Sequence, residues 1–357
     1  MSTGSSPAAP AVLALLTHDA PWPVVNGGRA RLVGLHAVLS QLGSTEVLVA
    51  INAHRPVDVA APAAALPAST RSKAAALLSA QPRLGRGLLG REAAAHVAGR
   101  DMAVLLVSHS FLVPELGKPA GLLVVDFPNL EVDRQASLGS ALGRLESAKA
   151  LRWEPRVARQ AALSIAVDEA DAVRLRSWGA RRVVVMPNAA EVPVAPPSPS
   201  DGYVLAVADW EYAPNRLSAE QLLSLDLPLV LVGRGSERWP CGRGFVDDLT
   251  PVYEGAAVVI APATKGGGTQ LKVAEAVTRG RVVVTTSYGA RSVPAPARDA
   301  CVFGDLGDGA RRLLADVPDR HRREQALRDA DLPRTWLAAG RELLTALDEL
   351  LAGSASR

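Results

Sequence analysis

The residues best equipped for chemistry lie between Ala256 and Gly280. An apolar run, Ala256–Ile260, leads through Pro262 into Gly266-Gly267-Gly268, followed by Thr269, Lys272 and Glu275. Consecutive glycines let a backbone approach a ligand closely, and they leave free N–H groups at the positive end of the helix that follows. That is an anion site, suited to a phosphate or diphosphate. Thr269 suits the cap of a helix starting there. Lys272 and Glu275 are three apart and so share a helical face, where the simplest role is a surface pair. No Gly-Lys-Ser/Thr closes the loop, so the Walker pattern is not met.

Other polar residues sit just after apolar runs. His18 follows Val12–Leu16, His109 follows Met102–Val107, and Asp126, Asn129 and Glu131 follow Gly121–Val125. Residues at such places can line a site, and they can equally serve caps and turns, as Pro128 within the last group suggests. Gly233-Arg234-Gly235 is a fragment of a dinucleotide fingerprint without its third glycine, and it ends a strand where a donor pocket would lie. Asp329 and Asp331 have the spacing of a metal-binding pair but read as solvated helix surface in an arginine-rich tail. Trp153-Glu154 reads as packing.

These residues are carried by alternating aliphatic strands and amphipathic helices. Continuous apolar runs mark strands covered on both faces: Val12–Leu16, Glu46–Ile51, Met102–Val107, Gly121–Val125, Leu163–Val167 and Arg182–Val185. Between the first two, Arg29–Gln41 places Leu32, Leu35, Val38 and Leu39 on one side of a helix. The alternation stops at the proline-rich stretch 193–202, which reads as an inter-domain linker. It restarts with Tyr203–Val207, a helix from about Asn215, then Pro228–Val232, Ala256–Ile260, a helix from Thr269, and Arg281–Thr285; the last strong helix is Trp336–Leu351. Two Rossmann-like domains with parallel sheets follow from this alternation. The expected boundaries are 1–195 and 196–335, with 336–357 as a C-terminal helix.

Composition bounds the function classes. The chain has 357 residues, 48% hydrophobic and 4% aromatic, which excludes collagen, coiled-coil arrays and wholesale disorder. Thirty-nine basic against 36 acidic side chains is nearly balanced, so the net charge of +3 is no argument for nucleic acid. Lysine is scarce, with arginine doing most of the work. The arginine- and alanine-rich usage is compatible with an actinobacterial-type genome. Cys241 and Cys301 make neither a disulfide framework nor a thiolate metal site. No apolar run is long enough to span a bilayer, and no basic residue precedes Val12–Leu16, so a soluble, cytoplasmic protein is expected.

From Gly244 to Val293 the chain resembles family 4 glycosyltransferases, which have the two-domain GT-B fold. The resemblance rests on Gly244-Phe-Val-Asp-Asp-Leu249, Pro251-Val-Tyr253, Ala261-Pro262, Gly266–Thr269, Lys272, Glu275-Ala276, Gly280 and Val282–Thr285. It extends to Tyr203–Val207 with Pro214-Asn215, to Leu231–Gly235, to Val184–Glu191, to the Pro23–Gly28 loop and to Trp336. It implies α/β architecture with two Rossmann-like domains whose parallel sheets face across a cleft, the last helix crossing back to the first domain. It implies a retaining transfer of sugar from a nucleotide-diphosphate donor to a small-molecule or glycan acceptor, without an obligatory metal or other cofactor.

By resemblance, Glu275 grips the donor ribose, Lys272 neutralises the diphosphate, and the backbone at Phe245 and Val246 meets the base. Gly27 and Gly28 close on the phosphates from the first domain. Asp126, Asn129 and Glu131 are acceptor-side candidates, and His109 and His18 are further candidates for the reaction centre. Two departures stand out. Eight positions before Glu275 the family carries a second glutamate, and this chain has Gly267; within 126–131, Pro128 replaces a histidine. Arg281 also replaces a common proline. The shared fold keeps open a nonhydrolysing nucleotide-sugar epimerase, and Gly267 and Pro128 keep open a catalytically silent sugar-nucleotide-binding protein. Residues 60–100, with several arginines, read as an acceptor lip or a peripheral membrane contact.

Overall fold

A computed structural model describes residues 12–24, 26–53, 58–71, 77, 79–117, 121–263, 270–291 and 293–355. The chain divides into two compact units, Met1–Met186 together with Gly340–Arg357, and Pro187–Ala339.

The first unit is built on seven strands: β1 (Val12–Thr17), β2 (Ser44–Val49), β3 (Ala63–Ala65), β4 (Val104–Ser108), β5 (Leu122–Phe127), β6 (Leu163–Ala166) and β7 (Val183–Val185). All pair in parallel in the order β3-β2-β1-β4-β5-β6-β7. The inner strands are buried along almost their whole length, because helices cover both faces and continuous Val/Leu runs satisfy both. The helix Gly27–Leu39 buries Leu32, Leu35, Val38 and Leu39 on the sheet, the face that its sequence spacing indicates. Strand order reverses beside β1, whose neighbours are β2 and β4. Ligands of open parallel sheets bind beyond the carboxyl ends at such a reversal.

The second unit repeats the plan with β8 (Tyr203–Val207), β9 (Leu229–Val232), β10 (Ala256–Ala261), β11 (Val283–Thr285) and β12 (Val302–Phe303) in the order β12-β11-β10-β8-β9, all parallel. Its reversal lies at β8, between β9 and β10. The proline-rich stretch is held against this unit. Buried Arg281 donates to the carbonyls of Tyr253 (2.9 Å), Pro196 (2.6 Å) and Glu254 (3.1 Å) and pairs with Glu324 at 3.3 Å. Glu324 also accepts from the Ser198 N–H at 3.0 Å, and Arg320 donates to Ser198 Oγ and the Pro199 carbonyl, both at 2.8 Å. The division at residue 186 therefore precedes the prolines.

Two helix bounds differ from the sequence reading. The helix expected from Thr269 spans Leu271–Thr278. Its end is fixed by Gly280 at φ +77°, with the Arg281 N–H reaching the Ala276 carbonyl and the Gly280 N–H the Val277 carbonyl. The terminal helix is interrupted at Gly340 into Trp336–Ala339 and Arg341–Ala355. Arg341–Ala355 packs on β7 and on the Gly27–Leu39 helix, and Glu349 pairs with Arg182 at 2.6 Å. No helix among the described residues is long and apolar enough to cross a membrane.

Candidate active site

In the first unit, parallel register places two histidines side by side. Thr17 of β1 pairs with Ser108 of β4, so the next residues, His18 and His109, leave the sheet together at the reversal. Their rings meet edge to face with centroids 4.4 Å apart, and Phe111 packs against both at 5.2 and 5.3 Å. Both Nδ1 atoms are shut off from solvent and have no hydrogen-bond partner among the described residues. Burial, reinforced for His18 by the neighbouring imidazole and for His109 by Arg134, holds both rings at about 3, so they are neutral near pH 7. A neutral imidazole offers one donor and one acceptor, which suits a sugar or acceptor hydroxyl.

The glycine loop is tied to the same strand end. Asn26 Oδ1 accepts from the Arg29 N–H at 3.0 Å, capping the helix that Gly27 and Gly28 open. Arg29 then reaches back to Asp19, beside His18, at 2.8 Å.

The acidic candidates after β5 separate into two groups. Asp126 is fully buried, paired with Arg31 at 2.6 Å and accepting from Ser108 Oγ at 2.8 Å. Arg31 also donates to the Met186 carbonyl at 3.0 Å. Asp126 thus joins β5 to β4, the Gly27–Leu39 helix and the end of β7, and its carboxylate faces no solvent. Asn129 donates to Glu131 at 2.8 Å, and Glu131 receives Arg134 on both oxygens at 2.8 Å. The charges of Glu131 and Arg134 are felt at His18, so this pair flanks the histidines.

Glu154, read as packing, carries a defined task. It is fully buried in the helix Ala141–Gln160 and accepts from Ser110 Oγ (3.1 Å) and from the Glu131 and Val132 N–H groups (2.8 and 3.1 Å). Those N–H groups open the helix Glu131–Ser137, whose own N-cap, Leu130, has no side-chain acceptor. Burial outweighs these donors and pushes the Glu154 carboxyl up to about 8. Ser108 and Arg31 escaped the sequence reading because they reach Asp126 from a neighbouring strand and from a helix packed on the sheet, where no local spacing marks them. Arg134, by contrast, sits three residues after Glu131 on the same helix, and its spacing was a usable signal.

Also in the first unit, Pro67–Arg71, Arg86 and Gly90–Ala93 line a cavity of about 500 Å³. Arg71 spans from it to Glu115 at 2.7 Å.

In the second unit, the residues ending β8, β9 and β10 converge at the reversal. Gly233 follows β9 at φ +123°, where a Cβ would lie 1.9 Å from the Ala208 carbonyl oxygen, so only glycine fits. Its N–H donates to the Gly244 carbonyl at 2.8 Å, drawing the segment with Phe245 and Val246 to the strand end. Phe245 is exposed and Val246 packs partly on the core. Arg234 pairs with Asp209 at 2.5 Å.

The loop after β10 holds Lys265, Gly266, Gly267, Gly268 and Thr269, which lie outside the described residues. Described structure resumes at Gln270 and the helix Leu271–Thr278. Lys272 stands in its first turn; burial lowers its ammonium to about 8, and no carboxylate among the described residues pairs with it. Glu275 is bound by Arg279, four residues on, whose Nε and NH2 both reach Oε1 at 3.2 Å. Arg279 also lies over the Tyr253 ring at 4.7 Å. Glu275 Oε2 keeps no partner among the described residues, and burial raises this carboxyl against the pull of Arg279. The i to i+4 spacing of Glu275 and Arg279 was the signal for this contact.

Asp329 accepts from Gln325 on the helix surface at 2.9 Å, and no cluster able to hold a metal occurs among the described residues.

Residues 218–316 match the family model described as Glycosyl transferases group 1, a stretch that includes Gly233, Phe245, Lys272 and Glu275. No curated protein matches the chain by sequence. Among solved structures, sucrose-phosphate synthase from Thermosynechococcus elongatus superposes with a TM-score of 0.62 at 15% identity, covering 97% of this chain and 98% of that one. An α,α-trehalose 6-phosphate synthase from Burkholderia multivorans gives 0.62 at 12% identity over 96% and 100%. Anabaena HepE in complex with UDP-glucose gives 0.57 at 13% identity over 96% and 99%. The fold is GT-B. The fold and the group 1 match together support a glycosyltransferase.

Proposed function

We propose that the chain is a retaining glycosyltransferase that takes a sugar from a nucleotide-diphosphate donor bound on the second unit. The carrying observation is the pair at the start of the Leu271–Thr278 helix. Among the described residues, desolvated Lys272 has no carboxylate partner and Glu275 Oε2, one turn further on, has no partner. An ammonium with no carboxylate partner and a carboxylate whose Oε2 is unpaired among the described residues, three positions apart, suit a ligand with phosphates at one end and ribose hydroxyls at the other.

In the reaction, the acceptor hydroxyl oxygen bonds to the anomeric carbon while the bond from that carbon to the diphosphate oxygen breaks, and the hydroxyl proton passes to the departing diphosphate. Charge develops on the departing diphosphate. Lys272 and the N–H groups opening its helix supply the stabilising field, which is the largest contribution that such a site makes. Phe245 and Val246 flank the base, and Gly233 admits close backbone approach. On the first unit, His18 and His109 present neutral hydrogen-bonding groups to an acceptor hydroxyl, and Asn129 with Glu131 continues that polar surface. Natural products and envelope glycans are the acceptor classes in view.

HepE binds UDP-glucose, so UDP-sugars are the first donors to test. A thermal-shift screen of nucleotide-sugars is expected to show one or more strong stabilisers, since a ligand at about 100 times its Kd adds about 2.7 kcal/mol. The stabilising donor is then incubated with and without cell-extract acceptors. Acceptor-dependent release of nucleoside diphosphate is the expected result. Interconversion of the donor sugar without acceptor identifies an epimerase instead, and stabilisation by no nucleotide-sugar overturns the reading.

A further inference from the structure

The helix Ala141–Gln160 buries one face on the core and leaves leucines and arginines exposed on the rest of its surface. Gly143, Ala150, Trp153, Val157 and Ala158 are buried. Away from that face Leu142 and Leu145, three apart, are exposed side by side, and Leu151 is exposed on the other flank at 55%. The segment 138–142, Leu-Gly-Ser-Ala-Leu, is exposed throughout and holds no charge. Leu138 lies against the first turn of the helix, beside Gly143.

The charges on this outer face have one sign. Arg144, Arg152, Arg156 and Arg159 are exposed, while the helix's two acids, Glu146 and Glu154, are buried and engaged, Glu146 with Lys149 at 2.8 Å and Glu154 in capping. Arg144 and Arg159 donate to the carbonyls of Gly139 and Trp178, contacts that leave their charge uncompensated. The exposed acid of the preceding helix, Asp133, is paired with Arg174 at 2.7 Å.

We infer that this face docks on an anionic lipid surface. A 20-residue helix is about 30 Å long. Its amino-terminal half, with the 138–142 segment, presents leucines for insertion among headgroups, and its carboxyl-terminal half presents arginines to phosphates. An ordinary solvated face mixes both signs and few leucines; this one has neither property. The inference stands apart from the donor chemistry, because none of these residues belongs to the nucleotide site.

The test is co-sedimentation of the full chain with vesicles of phosphatidylcholine alone or mixed with phosphatidylglycerol, at low and high salt. The chain sediments with the mixed vesicles and less so as salt screens the contact. Combined Arg152→Gln, Arg156→Gln and Arg159→Gln weakens binding by about fivefold per arginine, and each single change shows its share. Leu138→Ser with Leu142→Ser and Leu145→Ser removes the salt-resistant part. Circular dichroism and UDP affinity are unchanged in both variants. Failure of the wild type to sediment with mixed vesicles, or equal sedimentation of the arginine variant, overturns the inference. Capture on poly-glutamate beads with no vesicle binding overturns it in favour of an acidic protein partner.

Discussion

His18 and His109 meet edge to face, 4.4 Å between ring centroids, because Thr17 and Ser108 are register partners in adjacent parallel strands. The pair sits where the strand order reverses and where the sequence had two unrelated histidines.

Acid should loosen the first unit through this pair. In the folded chain each ring stays neutral down to about 3, whereas an unfolded imidazole takes its proton near 6.5. Between those values the unfolded chain binds more protons, so stability falls as pH falls, by up to about 1.4 kcal/mol per unit for each ring. Above 6.5 the pair contributes no pH dependence. Urea midpoints between pH 7 and 5 should decline for the wild type and decline less for His109→Gln; equal slopes would contradict the buried neutral pair.

Glu154 is expected to matter for stability rather than for turnover directly. Glu154→Ala strands the Glu131 and Val132 N–H groups and opens a cavity, a loss of about 2–4 kcal/mol. Chemical denaturation checks it, and a variant as stable as wild type would remove Glu154 from its capping role.

Asp126→Ala leaves the Arg31 guanidinium buried without its carboxylate, which costs about 3–5 kcal/mol. UDP affinity of the folded fraction should be retained, because Lys272 and Glu275, the groups proposed to hold the nucleotide, are on the other unit. Normal stability with lost turnover would instead put Asp126 in contact with substrate.

Much of the fold was legible in the sequence. Aliphatic runs such as 104–107 and 256–260 marked strands because a strand covered on both faces needs apolar residues at every position. Ala63–Ala65 and Val302–Phe303 were missed, since three alanines or two residues carry no pattern. Of the candidate site, the placement of Lys272 and Glu275 on one helix was legible through their spacing. The companions of Asp126 and Glu131 were only partly so. Arg134 is a local i+3 neighbour of Glu131, whereas Arg31 reaches Asp126 across the sheet.

Binding of nucleoside diphosphate should depend on pH through Lys272. Its ammonium loses its proton at about 8 in the free chain, and only the charged form attracts a diphosphate. Affinity for UDP should therefore be flat below that value and fall above it. The Lys272→Met variant should bind weakly with no such fall. A wild-type Kd that is constant from pH 7 to 9.5 would separate Lys272 from the phosphates.

The central claim is tested most directly by isothermal titration of UDP and other nucleoside diphosphates into wild type, Lys272→Ala and Glu275→Ala at pH 7. The account predicts binding by the wild type and a loss of about tenfold or more in each variant, since charge-assisted contacts contribute about 1.5–3 kcal/mol. Thermal unfolding of both variants should stay near that of wild type. Unchanged affinity in either variant, or no binding of any nucleoside diphosphate to the wild type, would contradict it.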